Sequence, residues 1–246
     1  MAIAVDATNG AYVGSGNTTV TATLTVSGAN RLIIAFVVDQ DYLDATGTNT
    51  TGVTYDSVSM TKIGSARVNG NDVWVHLYAL LAPNTGTHDA VASRTAGVEG
   101  FYIFVRSYTG VDQGTAIGSL PNQTGQGGNV TSFTGTVTTT ADNSYTAMVA
   151  YGRGGSNTAG AGTVVIQQQD ESGSWQSNGA VATAGSTTLT VNQSNGWYGY
   201  VIVGFAPSTI VGPTSVKTWD GVTQSTGVNT YLGTALASVK SVDGIT

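Results

Sequence analysis

The most constraining feature of the sequence is a series of short apolar and β-branched runs that continues along nearly the whole chain. The runs are rich in Val, Ile, Thr, Tyr and Phe, and they end at Gly, Asn, Asp or Pro, as β-strands do. No segment of comparable length has the 3.6-residue apolar period of an amphipathic helix. The sequence therefore predicts an all-β fold with strands near 19–26, 31–38, 53–63, 72–81, 86–93, 99–108, 130–140, 143–151, 162–168, 185–192 and 196–205, and loops at 119–129 and 152–162.

Alternation within the strands predicts how they are layered. Val73, Val75 and Leu77 share one face of their strand, which predicts that this face is buried. The run 31–39 is apolar on both faces, as in a central strand that is covered on both sides. Many short strands must stack or close to protect their edges. We therefore expect a two-sheet antiparallel jelly-roll sandwich, with a closed barrel as the alternative.

The composition changes at Pro207, which predicts a sandwich domain over 1–207 and a short β-rich tail over 208–246. The tail holds two similar decapeptides, TSVKTWDGVT and ASVKSVDGIT, each with the turn-forming dipeptide Asp-Gly. A tail of this length is too small to bury a core alone, so we expect it to dock on its own domain, a sister subunit or another partner. The residues predicted to mediate assembly are Val216, Trp219, Val239 and Val242.

Composition excludes several functional classes. The chain has no cysteine, so it cannot hold disulfides or thiolate metal sites. A net charge of -6 with only 8 Lys and Arg argues against nucleic acid as a partner. The longest apolar runs, 32–38 and 201–205, are far shorter than the roughly 20 residues that span a bilayer. The N-terminus lacks the basic and apolar regions of a secretory signal, which predicts synthesis in a cytoplasm.

Groups suited to catalysis are few. The sequence has two histidines and no G-x-S-x-G motif, and neighbouring Asp170 and Glu171 would point to opposite faces of an extended strand. His76 and His88 lack the third ligand of a zinc site. We therefore expect a protein that is not an enzyme and has no resident cofactor.

Two binding sites are nevertheless suggested by residue type. Asp39, Asp41 and Asp44 follow a buried strand and are candidate ligands for calcium, with a solvated acidic loop as the competing interpretation. Aromatic side chains flanked by amides suit the stacking of sugar rings, although such residues also fill cores and subunit interfaces. The candidate glycan-binding residues are Trp74, His76, Tyr78, Trp197 and Tyr200.

Three stretches, GVTYDSVSMTKIG at 52–64, VHLYALLAPNTGTHDAVAS at 75–93 and SYTGVDQGTAIG at 107–118, resemble a jelly-roll module of bacteriophage virion proteins and secreted bacterial surface proteins. The resemblance covers roughly residues 20–207. It implies a concanavalin-like sandwich with a structural or adhesive role, and no family catalytic residues carry over.

The residues and the resemblance together predict a structural protein on a virion exterior, such as a capsid decoration, head-fibre or tail protein. It would assemble with copies of itself and with other virion or surface proteins. The alternative is a carbohydrate-binding adhesion module on a phage or bacterial surface. Neither alternative requires nucleic acid or a membrane as a partner.

Overall fold

A computed structural model describes residues 1–40, 46–68, 73–97, 99–155 and 157–209, and the backbone of four short strands beyond them. The chain divides into two compact units, Met1–Ser208 and Thr209–Thr246. Strands make up most of the residues that the structure describes, which confirms the all-β prediction. The first unit contains β1 (Ala4–Val13), β2 (Thr19–Val26), β3 (Leu32–Gln40), β4 (Thr50–Tyr55), β5 (Val58–Ser59), β6 (Thr61–Arg67), β7 (Val73–Leu81), β8 (Gly86–Arg94), β9 (Phe101–Thr109), a 3₁₀ turn (Ile117–Ser119), β10 (Asn122–Thr138), β11 (Tyr145–Gly152), β12 (Thr158–Ala159), β13 (Thr163–Gln169), β14 (Ser172–Ser177) and β15 (Ser186–Phe205).

The first nine strands form a jelly roll. A five-stranded sheet, here called the central sheet, has the order β1-β9-β3-β7-β6, and a four-stranded sheet has the order β2-β8-β4-β5. The chain crosses repeatedly between the two sheets, and every strand pair is antiparallel. This is the strand arrangement of a two-sheet jelly roll, so the predicted sandwich is confirmed.

A third sheet covers the other face of the central sheet. It has six strands, in the order β10-β15-β11-β14-β13 with β12 beside β15. The first unit is therefore a sandwich of three sheets, one more than the sequence predicted. Strand β3 lies in the middle layer and is buried on both faces, as its two apolar rows indicated.

Alternating side chains divide the interior into separate cores. Ile33, Ala35 and Val37 of β3 face the four-stranded sheet, where Val20 and Leu24 of β2 are buried. The other row of β3 packs against the six-stranded sheet and contributes Ile34, Phe36 and Val38. A further cluster lies on the outer side of the six-stranded sheet and contains Phe133, Val137, Met148, Ala150, Trp175, Leu189, Val191, Tyr200 and Ile202. Burial of these apolar rows is the main stabilising contribution to folding.

The glycine-rich segment 119–129, predicted to be a loop, enters strand β10 instead. Gly125 lies opposite Tyr200 and Gly127 opposite Tyr198 on β15. A Cβ atom added to Gly125 would overlap the phenol ring of Tyr200. Glycine is therefore required here because the aromatic ring of the neighbouring strand occupies the space of a side chain.

Replacing Gly125 with Ala is expected to lower the free energy of unfolding by about 1–3 kcal/mol, because the Tyr200 ring must leave its stack. Gly52→Ala is the matched control, since Gly52 also lies in a strand and an added Cβ would have no neighbour within 4 Å. Denaturant unfolding of both variants measures the difference. Equal effects of the two substitutions would contradict the cross-strand packing.

The second unit is described by its backbone alone. Its strands are β16 (Ser215–Trp219), β17 (Val222–Thr226), β18 (Thr230–Tyr231) and β19 (Thr234–Ala235). β16 pairs with β17 and β18 with β19, each pair antiparallel. Trp219 pairs with Val222, so the Asp-Gly dipeptide predicted to form a turn lies between two paired strands in the sequence. The second decapeptide, 237–246, lies outside the described residues.

Candidate functional site

Three of the predicted glycan-binding residues, Trp74, His76 and Tyr78, lie in a row on the face of β7 that turns toward the four-stranded sheet. The centroids of neighbouring rings are 6.2 and 6.4 Å apart. His76 is fully buried, and its Nδ1 lies 2.7 Å from Oγ of Ser65. Tyr78 is 3% exposed, so only Trp74 of this row reaches the surface.

The other two predicted residues, Trp197 and Tyr200, lie on β15 in a different layer. Tyr200 is buried in a parallel stack with Phe133 and Tyr198. Trp197 is half-buried, with the Arg153 guanidinium 5.6 Å from a ring centroid. The five predicted residues therefore do not form one sugar-binding face, because His76, Tyr78 and Tyr200 fill space between or within covered sheets.

Asp39, predicted to bind calcium, forms a buried ion pair instead. Its carboxylate accepts hydrogen bonds from Nη1 of Arg94 at 2.7 Å and from Oγ1 of Thr50 at 2.8 Å. Arg94 is also buried, and it donates to the carbonyl oxygens of Asn17 and Glu99. A guanidinium already neutralises this carboxylate, which argues against Asp39 as a calcium ligand. The other two predicted ligands, Asp41 and Asp44, lie outside the described residues.

Several other titratable groups lie in hydrogen-bonding pairs. Nδ1 of His88 lies 3.0 Å from Oδ1 of Asp56. Asp170 accepts a hydrogen bond from Tyr102 and Glu171 accepts one from Tyr151. Across the part of the chain that the structure describes, no three His, Asp or Glu side chains are grouped so as to hold a metal ion.

Two half-buried carboxylates have pKa values below the ordinary range because of hydrogen bonds. The hydroxyl of Thr115 donates to Asp112 at 2.6 Å and, with backbone amides, lowers the pKa of that carboxyl. Burial alone would raise the pKa of Asp6, but donors from Ser27 and Ser107 outweigh this effect and lower it. Both carboxylates are thus ionised structural acceptors at neutral pH.

The residues predicted to mediate assembly belong to the second unit. Val216 and Trp219 lie on β16, in the paired hairpin. Val239 and Val242 lie outside the described residues. The structure thus places two of the four predicted residues on a β-strand and does not test their contacts.

Trp74 lines a groove of about 510 Å³ between the edge strands of two sheets. β6 forms one wall and β10 the other, since each is the last strand of its sheet on this side. The groove combines one aromatic ring, one guanidinium and several hydrogen-bonding groups, a composition suited to a polar ligand with an apolar face. Its lining residues are Ser65, Ala66, Arg67, Trp74, Thr124, Gly125 and Gln126.

A second cleft, of about 450 Å³, lies where the chain crosses from the four-stranded to the central sheet. Tyr78 and Lys62 both line it, and Lys62 pairs with Tyr78 across β6 and β7. Burial raises the pKa of the Tyr78 phenol well above its usual value and lowers the pKa of the Lys62 ammonium. Sequence reasoning missed Lys62, although it is the single lysine in residues 1–208.

Comparison with known proteins does not assign this chain to a family. No family model matches this chain, and no curated protein matches it. Among solved structures, the chain is similar to the ANX2 ectodomain from Arabidopsis thaliana, with 8% identity over 83% of this chain and 89% of that chain, and a TM-score of 0.22. A likeness at this score carries no argument about fold or function.

No helix in the described ranges has the length and apolar character needed to cross a bilayer.

Proposed function

We propose that this protein is a non-enzymatic structural protein of a virion exterior, such as a phage capsid decoration, head-fibre or tail protein. It is made in the host cytoplasm and assembles with copies of itself and with other virion proteins. The three-sheet unit forms the body of the subunit, and the C-terminal unit makes the assembly contacts.

The single observation that carries this proposal is the hairpin in the second unit. Strands β16 and β17 are five residues each and pair only with one another among the described residues. A two-stranded hairpin is at best marginally stable in water, and a unit of fewer than about 40 residues buries too little surface to fold alone. A hairpin of this kind becomes stable when it adds to a sheet edge or groove of another surface.

The outer faces of the sheets support the same role. β2 exposes its threonines while the alternate residues are buried. Thr25 and Thr87 are hydrogen-bonded across strands at 2.8 Å, and Thr134 and Thr190 at 3.2 Å. These hydroxyl faces carry few charges, and depletion of charge is typical of the centres of protein interfaces.

The use of the carboxylates also supports a role without catalysis. Most carboxylates in the described ranges accept hydrogen bonds from nearby backbone amides, hydroxyls or basic side chains that fix turns and strands. These carboxylates are Asp6, Asp39, Asp56, Asp89, Asp112, Asp142, Asp170 and Glu171. A catalytic acid or base instead needs access to a substrate and a suitably tuned pKa.

The test is the native mass of the full chain and of residues 1–208, measured by light scattering at several concentrations. We expect the full chain to form a defined oligomer and the truncated chain to be a folded monomer. Thermal unfolding of the truncated chain is the control, since residues 1–208 contain the three sheets and their cores. Monomers in both cases, or the same oligomer in both, would overturn the assignment of assembly to the tail.

One observation favours the alternative of glycan binding, namely the half-buried Trp74 in the groove between β6 and β10. If sugars stack on this ring, Trp74→Ala should abolish binding in a glycan screen, and Trp197→Ala should not. Trp197 is the matched control because it is also half-buried but lies on β15. Equal binding by both variants and the unmodified protein would exclude this groove as the site.

A further inference from the structure

The first segment of β10 is an open sheet edge. β10 is the end strand of the six-stranded sheet, so β15 pairs with one side of it and no strand in the described ranges pairs with the other. The Gly204 N–H donates to the Pro121 carbonyl at 2.8 Å, one residue before the first pair of the two strands. Because inward and outward residues alternate along an antiparallel strand, Asn122, Thr124 and Gln126 direct their N–H and C=O groups away from β15.

These outward groups are accessible. The side chains of Asn122, Thr124 and Gln126 are exposed. Within the described ranges, no backbone hydrogen bond reaches this side of the segment from another strand. The groove at Trp74 lies beside it, because Thr124 and Gln126 form part of the groove wall. Three alternate residues therefore present backbone donors and acceptors to a space that a further strand can enter.

β10 also lacks the devices that keep sheet edges apart. Its 17 residues, Asn122–Thr138, include no charged residue and no proline. Edge strands usually carry such residues, since an open edge is a template for pairing with another chain. The neighbouring edge strand, β6, carries Lys62 and Arg67. The register of β10 shifts after Gly127, so the regular segment open to pairing is 122–126.

The composition of this segment favours a second copy of itself as the partner. Among the described residues, Arg67 is the one charged side chain that lines the groove. A strand that carries a lysine would meet like charge there, and β16 contains Lys217. Segment 122–126 has no charge, so it can pair with its own copy without repulsion. Threonine, asparagine and glutamine side chains also hydrogen-bond to one another across paired strands.

We propose that two copies of this protein pair through segment 122–126 as antiparallel strands, about a two-fold axis at Thr124. Asn122 of each copy lies opposite Gln126 of the other, and the two Thr124 residues lie opposite each other. The three residue pairs supply about six backbone hydrogen bonds and join two six-stranded sheets into one.

A contact of this size is small. The interface of a stable complex buries roughly 1,200–2,000 Å², more than five residues of one strand provide. The β10 contact therefore forms between copies that the tails already hold together, and in this respect it rests on the proposed function. We expect it in the assembled full chain and not between free copies of residues 1–208.

Disulfide trapping tests the pairing, because the chain has no cysteine of its own. In the proposed register, residues 122 and 126 of different copies have Cα atoms about 5.5 Å apart, within the range that a disulfide spans. Full-length Asn122→Cys co-expressed with full-length Gln126→Cys should cross-link under mild oxidation at least about tenfold faster than either variant alone, since only the mixture places two thiols opposite each other. Thr124→Cys alone should also cross-link, because its thiol meets its own copy at the axis. Electrophoresis without reductant measures the cross-linked fraction.

Two controls lie on β2, the end strand of the four-stranded sheet. Thr19→Cys co-expressed with Thr23→Cys has the same spacing on an exposed face and should not cross-link. Thr124→Lys, added to the cysteine pair on β10, should reduce cross-linking several-fold, because like charges then lie directly opposite each other. Thr21→Lys, at an exposed position of β2, should leave the cross-linking of that pair unchanged.

Two results would overturn the pairing. One is cross-linking of the β10 cysteine pair no faster than that of the β2 pair, and the other is equal cross-linking by the mixture and by each single variant. The native mass of the same samples separates this contact from the role of the tail. A defined oligomer without the cross-link keeps the tail's role and excludes the β10 contact. Cross-linking that persists in residues 1–208 keeps the β10 contact and excludes the tail as the part that brings the copies together.

Discussion

Replacing Arg94 with Met is expected to lower the free energy of unfolding by about 3–5 kcal/mol, because it leaves the buried Asp39 carboxylate without its counter-charge. Asp39 is 2% exposed and has little access to water. The substitution also removes the hydrogen bonds that Arg94 donates to the carbonyls of Asn17 and Glu99. Equilibrium unfolding in denaturant at neutral pH measures the loss.

Two further variants separate the ion pair from simple loss of packing. Adding Asp39→Asn to Arg94→Met should recover part of the lost stability, since no charge then remains unpaired. Arg153→Met is the control, because Arg153 is exposed and stacks on Trp197, a contact of about 0.5–1 kcal/mol. If Arg94→Met and Arg153→Met are equally mild, the Asp39 carboxylate is not buried with Arg94 as its counter-ion.

Replacing either Ile33 or Ile34 with Ala is expected to lower the free energy of unfolding by about 2–5 kcal/mol. These neighbours point to opposite faces of β3, Ile33 toward the four-stranded sheet and Ile34 toward the six-stranded sheet. Both are fully buried, so each substitution leaves a cavity between two layers. In a sandwich of only two sheets, one of the two side chains would be solvent-exposed and its loss nearly neutral.

The pair of variants thus tests the three-layer arrangement directly. Val58→Ala, at a side chain that is 46% exposed, is the control and should cost less than about 1 kcal/mol. Chemical denaturation measures the loss in the free energy of unfolding for each of the three variants, both in residues 1–208 and in the full chain. A mild effect at Ile34 together with a large effect at Ile33 would contradict packing of the six-stranded sheet on the central sheet.

The strands that the sequence predicted well are those with strong apolar periodicity. β2 has its predicted bounds, and β3 and β7 differ from theirs by a residue or two. β15 was predicted as two strands but is continuous, and it pairs with β10 on both sides of the predicted break, where the register shifts. β1 and β14 were missed because their sequences, AVDATNGAYV and SGSWQS, are interrupted by small polar residues. Each becomes a strand because its neighbours complete its hydrogen bonds.

The candidate sites were less predictable than the strands. Tyr78 was predicted for its ring, yet the property that marks it in the structure is an unpartnered buried hydroxyl. Lys62 had no signal beyond its rarity, and it meets Tyr78 only through the pairing of β6 with β7. Asp39 looked like a metal ligand because its partner Arg94 is 55 residues away in the sequence.

The sequence by itself determined the all-β class, the buried faces of the strongly alternating strands, and the change of composition before the tail. These properties are local, since the side-chain period of a strand is visible within a few residues. Only the tertiary structure decided the number of layers, the pairing of Asp39 with Arg94, and the meeting of Lys62 and Tyr78 in one cleft. The physical reason is that sheets bring together residues far apart in the chain, and an alternating pattern reports that a face is covered without reporting which strand covers it.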